Sequence, residues 1–193
     1  LGSDAHLQDQ ALALARQWLA GGPAPEADIR APLLATAAVA TPVPALSLYE
    51  QMTVQAARTA DSSEQSAWLG AAMRLREPEL KQRALATLLL PTTDLTVALP
   101  ALLEGAADTE EGRYAALRFI ATHRAAMAAR SGRDAPAGWP WYFGGACSMG
   151  EARLIEATFA PLAAGAQGGQ RQLAQVLDGV RLCAAWRQAQ APG

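Results

Sequence analysis

Apolar residues recur every three or four positions between short breaks that contain proline or glycine, and this pattern constrains the fold most strongly. Leu7, Ala11, Leu14 and Trp18 share one helical face before the break at residues 21–23. Roughly a quarter of the chain is alanine, β-branched residues are scarce, and no stretch alternates with period two long enough for a strand. The sequence therefore predicts an all-α fold.

Capping and breaking signals divide the chain into about eight helices. The predicted segments begin with a helix capped at Ser3-Asp4, a second from Pro25 to Ala40 and a third that carries Leu46 to Ala56. A fourth follows a cap offered by Asp61-Ser62-Ser63, in which Ser62 and Gln65 have capping-box spacing, and a fifth runs from Glu77-Pro78 to Pro91. A helical piece over 92–108 that Pro100 interrupts comes next, followed by the longest helix over 109–131. Residues 132–146 are predicted to form a packed loop or short turns. A second capping box of Ser148 and Glu151 begins a helix to Phe159, and a last helix follows the turn at 165–169. Short connections of this kind favour antiparallel helical hairpins stacked side by side in a single domain over 1–193.

Charge and hydropathy exclude two classes of partner. The net charge is −2 and basic residues form no run, so no nucleic-acid surface is expected. Residues 31–49 carry no charge, but Pro42 and Pro44 break the segment in its middle, so no membrane span is expected. The chain starts at Leu1 without a signal-peptide pattern, and we expect it to be a piece of a longer protein.

The motifs that would support local catalysis are missing or incomplete. A zinc-hydrolase HExxH motif is absent, and the histidines His6 and His123 lack ligand spacing to each other or to the cysteines. Ser148 lies in a Cys-Ser-Met-Gly setting similar to a nucleophile elbow, but no strand is predicted before it and no histidine follows it, so we interpret it as a helix cap. Cys147 has no evident base beside it. We therefore predict no catalytic, cofactor-binding or metal-binding residue in this chain.

Two further features have a structural and a functional interpretation. His123 shares a helical face with apolar residues and is expected to point inward, as a hydrogen-bonded core histidine rather than a ligand contact. The aromatic cluster over 139–143 is expected to plug one end of the domain, although a ligand or partner surface is the alternative.

The two cysteines form the candidate disulfide. Cys147 precedes one predicted helix and Cys183 lies in the next, so an antiparallel hairpin with a turn at 161–169 would bring them together. Such a bond would contribute on the order of 3–4 kcal/mol in the chain-entropy description and would indicate an oxidising compartment, periplasmic or secreted. The alternative is two small buried thiols, which a cytoplasmic protein would also accommodate.

Three segments carry a family resemblance. GRYAALRFIATHRAAMAAR (112–130), REPELKQRALATLL (76–89) and RQLAQVLDGVRLCAAWRQAQ (171–190) resemble successive helices in the C-terminal domain of zinc aminopeptidases of the puromycin-sensitive and endoplasmic-reticulum type. Leu117, His123 and Arg124 stand where that family often has Trp, Asn and Trp. The resemblance covers about residues 4–190 and rests on hydrophobic patterns.

The resemblance implies an irregular HEAT-like superhelix without catalysis of its own. In that family a zinc-bearing catalytic domain precedes the helical domain, which caps the active-site chamber and helps to select peptides by length and by contacts to their C-terminus. The resemblance implies that the parent enzyme uses zinc as its cofactor and that this chain itself holds none. The expected partners are the upstream catalytic domain and peptide substrates. The rival hypothesis is a stand-alone helical-repeat scaffold that binds a protein partner. A third is a small hydrolase that uses Ser148.

Overall fold

Helices joined by short connections make up most of the described chain. The computed structural model describes residues 4–190, and no strand occurs among them. The α-helices are α1 (Ala5–Leu19), α2 (Ala27–Ala40), α3 (Leu46–Arg58), α4 (Ser62–Arg74), α5 (Pro78–Ala86), α6 (Leu95–Ala107), α7 (Glu110–Arg130), α8 (Met149–Ala163) and α9 (Gly169–Gln190), with 3₁₀ segments at Thr87–Leu89 and Ala135–Phe143. The all-α prediction is confirmed.

Side-chain carboxylates cap α1 and α4. Asp4 caps α1, where its Oδ1 accepts hydrogen bonds from the backbone N–H of His6 at 2.9 Å and of Leu7 at 3.2 Å. Ser3, the other half of the predicted cap, lies outside the described residues. At α4 the predicted cap over Asp61-Ser62-Ser63 is confirmed at Asp61, which accepts from Ser63 N–H at 2.8 Å, whereas the capping box with Ser62 as the cap is wrong. An ionised carboxylate is the stronger acceptor, so the helix begins one residue earlier.

Prolines interrupt the helices less than the sequence predicted. α6 runs without a break through Pro100, and α8 continues through Pro161 to Ala163, beyond the predicted end at Phe159. A proline inside a helix removes one backbone hydrogen bond. In α6, eight of the 13 residues are buried, and this apolar burial offsets the missing bond.

One prediction of helix length also needs correction. The longest helix described is α9, with 22 residues, because its first turn starts at Gly169; α7 has 21. The short turns predicted within 132–146 are confirmed, since Ala135–Phe143 form 3₁₀ turns in which Trp139 and Phe143 are buried.

The chain divides into two compact units, Leu1–Ala106 and Ala107–Gly193. In the first unit, α4 packs against α2, α3 and α5, and every residue of Ala67–Met73 is buried. In the second unit, α8 packs against α7 and α9, and the 3₁₀ segment Ala135–Phe143 packs against α9. Packed helical pairs are present in each unit, and the prediction of a single domain over 1–193 stays a prediction.

The uncharged stretch 31–49 is divided between α2 and α3, as its prolines predicted. Within residues 4–190, none of the helices has both the length and the hydropathy needed to cross a bilayer.

Two glycines allow α4 and α6 to approach closely in the first unit. A Cβ added at Gly105 would lie 2.6 Å from the carbonyl oxygen of Gly70 and 2.9 Å from Cβ of Met73. Both distances are well inside van der Waals contact, and one of the two atoms belongs to rigid backbone. The contact therefore requires glycine at position 105.

Gly105→Ala should lower the free energy of unfolding by about 1–3 kcal/mol, because the added methyl group forces the two helices apart. The measurement is urea denaturation followed by circular dichroism. Gly179→Ala is the matched control, since Gly179 is also helical but its Cβ would meet no atom within 4 Å. At position 179 the higher helix propensity of alanine should raise the free energy of unfolding by about 0.5–1 kcal/mol. Equal effects of the two substitutions would contradict the close approach.

Candidate functional site

The two cysteines are bonded to each other in the second unit. Cys147 lies two residues before α8 and Cys183 lies in the second half of α9, with their Cα atoms 5.1 Å apart. The start of α8 therefore lies beside the later turns of α9, which requires the two helices to be antiparallel. The predicted disulfide is confirmed, and Cys147 is buried beside it.

Ser148 is the N-cap of α8. Its Oγ accepts the backbone N–H of Glu151 at 3.1 Å, and its hydroxyl donates to Oε2 of Glu151 at 3.0 Å. The predicted cap at Ser148 is confirmed, although the backbone N–H that bonds to the Glu151 side chain is that of Cys147 and not that of Ser148 as in the standard capping box. Both roles of the hydroxyl are structural, and no strand precedes it within the described chain. The elbow hypothesis for Ser148 therefore lacks its structural context.

Glu151 is the centre of a buried polar cluster that the sequence did not predict in full. Its side chain is 2% exposed, and its Oε1 accepts from Nε of Arg113 at 2.6 Å. Its Oε2 accepts from the backbone N–H of Cys147 at 3.1 Å as well as from Ser148. Arg113 also donates from Nη1 to the carbonyl of Ala107 at 2.8 Å. The cluster joins α7, the cap of α8 and the disulfide.

Burial and hydrogen bonding act on the pKa of Glu151 in opposite directions. Burial disfavours the charged carboxylate and raises the pKa, whereas the hydrogen bonds from Arg113, Cys147 N–H and Ser148 and the charge of Arg113 lower it. The lowering effects together prevail, and the pKa lies below its ordinary value of 4.5. Glu151 is therefore ionised at neutral pH and pairs with Arg113.

The histidines have local contacts. The ring of His123 is half-buried and lies against Phe119, with the ring centroids 4.6 Å apart, which fits the inward orientation predicted for it. His6 is exposed and its Nε2 lies 3.0 Å from Nε2 of Gln10. Residues 4–190 contain no group of three or more His, Cys, Asp or Glu side chains that could hold a metal ion.

The aromatic cluster over 139–143 is mainly a packing element. Trp139 and Phe143 are buried, and Phe143 packs against Phe159 of α8 with ring centroids 5.5 Å apart. Trp141 points outward and is 53% exposed. The packing interpretation holds for the first two residues and not for Trp141.

An open pocket of 410 Å³ in the first unit is the candidate binding site. It lies between α3, α4, α6 and the segment 87–93. Its lining consists of Thr53, Ala56, Ala57, Gln65, Leu69, Thr87, Leu90, Thr92, Thr93 and Ala98. The pocket is not predictable from sequence patterns, because none of these residue types is a catalytic signal and their spacing follows no motif.

Replacing both Cys147 and Cys183 with alanine should lower the free energy of unfolding by about 4 kcal/mol. The bond closes a loop over a sequence separation of 36, and removing it frees the unfolded chain. The measurement is guanidinium denaturation with and without a reductant. The reductant should lower the free energy of unfolding of the wild-type protein and leave that of the variant unchanged. Two alkylated thiols in unreduced wild-type protein would contradict the bond.

Glu151→Gln should lower the free energy of unfolding at pH 7 by about 3–5 kcal/mol, because it leaves Arg113 without its buried counter-charge. The folded-state pKa of Glu151 is lowered, so its contribution is complete above the unfolded value near 4.5 and is lost as the pH falls through the folded value. Wild-type protein should therefore lose stability below about pH 4.5 more steeply than the variant. Denaturation curves between pH 3 and pH 7 test both expectations.

Glu156→Gln is the matched control. Glu156 belongs to the same helix and pairs with Arg181 at 2.9 Å, but its side chain is 51% exposed. Exposed pairs contribute at most about 1 kcal/mol, so the loss should be small. If Glu156→Gln lowers the free energy of unfolding as much as Glu151→Gln does, the buried cluster contributes no more to stability than an exposed ion pair.

The comparisons with known proteins give one family. A model of the family described as ERAP1-like C-terminal domain matches residues 1–182. A comparison with curated proteins gives no match. Since the family match spans far more than half of the 193 residues, the chain belongs to the ERAP1-like C-terminal domain family.

Proposed function

We propose that this chain is the noncatalytic C-terminal domain of a zinc-dependent aminopeptidase. The family match over residues 1–182 is the observation that carries the proposal. The site chemistry supports it, because the groups that the sequence offered as candidate nucleophiles have structural roles. Cys147 is in a disulfide and Ser148 caps a helix. In this proposal, zinc is bound by a catalytic domain that precedes the helical domain.

The proposed role is to cap the active-site chamber and to help select peptides by length and by C-terminal contacts. A domain of packed helices suits such a role, because it offers a surface for a substrate without requiring reactive groups. The partners in this proposal are the upstream catalytic domain of the same protein and its peptide substrates.

The proposed location is an oxidising compartment, the periplasm or the extracellular space. The Cys147–Cys183 bond supports this location because disulfides persist where thiols are not kept reduced.

The natural reading frame upstream of Leu1 tests the proposal most directly. We expect a few hundred residues that include HExxH and a more distant glutamate, the ligand set of a zinc peptidase. The full enzyme should bind one zinc ion and release N-terminal residues, whereas the purified 193-residue chain should do neither. Atomic absorption and a fluorogenic aminopeptidase assay on both proteins measure this difference.

A deletion variant of the full enzyme tests the selection role. Without this domain it should still cleave a short fluorogenic substrate but lose its preference among peptides of different lengths. The unmodified enzyme is the control. A reading frame that begins near Leu1, or stoichiometric zinc in the 193-residue chain, would overturn the proposal and favour the stand-alone scaffold.

A further inference from the structure

We propose that the pocket between α3, α4, α6 and the segment 87–93 binds an uncharged stretch of peptide and not a charged chain end. This proposal rests on the proposed function, because the aminopeptidase supplies the peptide. The pocket has a volume of 410 Å³, within the range of about 300–1,000 Å³ that is common for small-molecule binding sites. This volume is sufficient for a short peptide stretch.

The polar groups that line the pocket are arranged to accept hydrogen bonds. The hydroxyl of Thr53 donates to the carbonyl of Glu50 at 3.0 Å, and that of Thr87 donates to the carbonyl of Ala84 at 2.6 Å. A hydroxyl has one proton and two lone pairs, so each oxygen keeps acceptor capacity after its proton is used. These oxygens suit a ligand that brings N–H donors, as a peptide backbone does.

The amide of Gln65 is held in a similar way. Its Nε2 donates to the carbonyl of Ala56 at 3.1 Å across the gap between α4 and α3. This bond fixes the amide plane and leaves Oε1 as the acceptor end. Four of the lining side chains, those of Thr53, Gln65, Thr87 and Thr93, therefore donate a hydrogen bond to the protein backbone.

Charge is missing from the lining. None of the residues that line the pocket in the described chain is acidic or basic. A terminal carboxylate or ammonium placed there would lose water without gaining a counter-ion, which is costly. An uncharged amide stretch loses far less, because its N–H groups meet the threonine and glutamine oxygens.

Apolar residues complete the site. Ala56, Leu69 and Ala98 form buried parts of the lining, and Leu90 at the rim is 51% exposed. A small aliphatic side chain of a peptide would cover Leu90 and lie over the alanines. The expected ligand is thus a backbone stretch with small apolar side chains.

An NMR titration of the isotope-labelled 193-residue chain with capped peptides tests the proposal. The probes are acetyl-Ala-Ala amide, which is uncharged, and acetyl-Ala-Ala with a free carboxylate. The uncharged probe should shift the amide signals of residues 53–57 and 87–93 in a saturable way and bind at least tenfold more tightly than the carboxylate. No saturable shift, or equal or tighter binding of the carboxylate, would overturn the proposal.

Two variants locate the binding. Ala57→Phe should abolish it by filling the pocket from an exposed position, whereas Ala125→Phe, the same change on an exposed position of α7, should leave it unchanged. Thr53→Val keeps the side-chain shape but removes the oxygen, and should weaken binding roughly 3- to 10-fold. Circular dichroism confirms that each variant is folded. Unchanged binding in Ala57→Phe would place the ligand elsewhere and overturn the proposal.

These outcomes are separable from those of the proposed function. Binding of the capped probe needs no catalytic domain, so it can fail while the full enzyme still selects peptides by length. Conversely, a reading frame without a peptidase would remove the proposed source of the ligand but leave the measured preference for uncharged amides.

Discussion

The buried carboxylate of Glu151 is the interaction on which the second unit depends. One side chain satisfies the charge of Arg113 from α7, the hydroxyl of Ser148 and the backbone N–H of Cys147. A buried charge is tolerated only when its partners are complete, so these four residues have to be in place together. The disulfide from Cys147 to Cys183 then extends the constraint to α9. The polar cluster thus fixes the position of three helices relative to one another.

The first unit is stabilised differently, by the close packing of small residues. α4 is buried along Ala67–Met73, and Gly70 and Gly105 let α6 approach it so closely that a single methyl group would clash. An alanine-rich core offers little apolar area per residue, so short distances between helices matter more than large side chains. The same geometry leaves a pocket where α3, α4 and α6 diverge around threonines and a glutamine.

The two units differ in how their polar side chains are engaged. In the second unit, the residues that resembled reactive groups are engaged in structure, since Ser148 caps a helix and Cys147 is oxidised. In the first unit, the open pocket is lined by unreactive side chains that can accept hydrogen bonds. This division is consistent with the proposed role, in which the domain contributes to substrate binding and another part of the protein carries out the chemistry.

Periodicity and composition alone determined the all-α class, most helix positions and the cap at Ser148, because these depend on residues three or four apart in the chain. The cysteine pair was also predictable, since a hairpin brings two helices together in a simple way. The ion pair between Glu151 and Arg113 was not predictable, because the two residues lie 38 positions apart in the chain and no local pattern links them. The passage of α6 through Pro100 was not predicted either, and local pattern offered Asp61, Ser62 and Ser63 as the cap of α4 without showing that Asp61 occupies it. Only tertiary burial decided those points and created the pocket, because ten side chains from separate segments acquire a common surface only when the helices are packed.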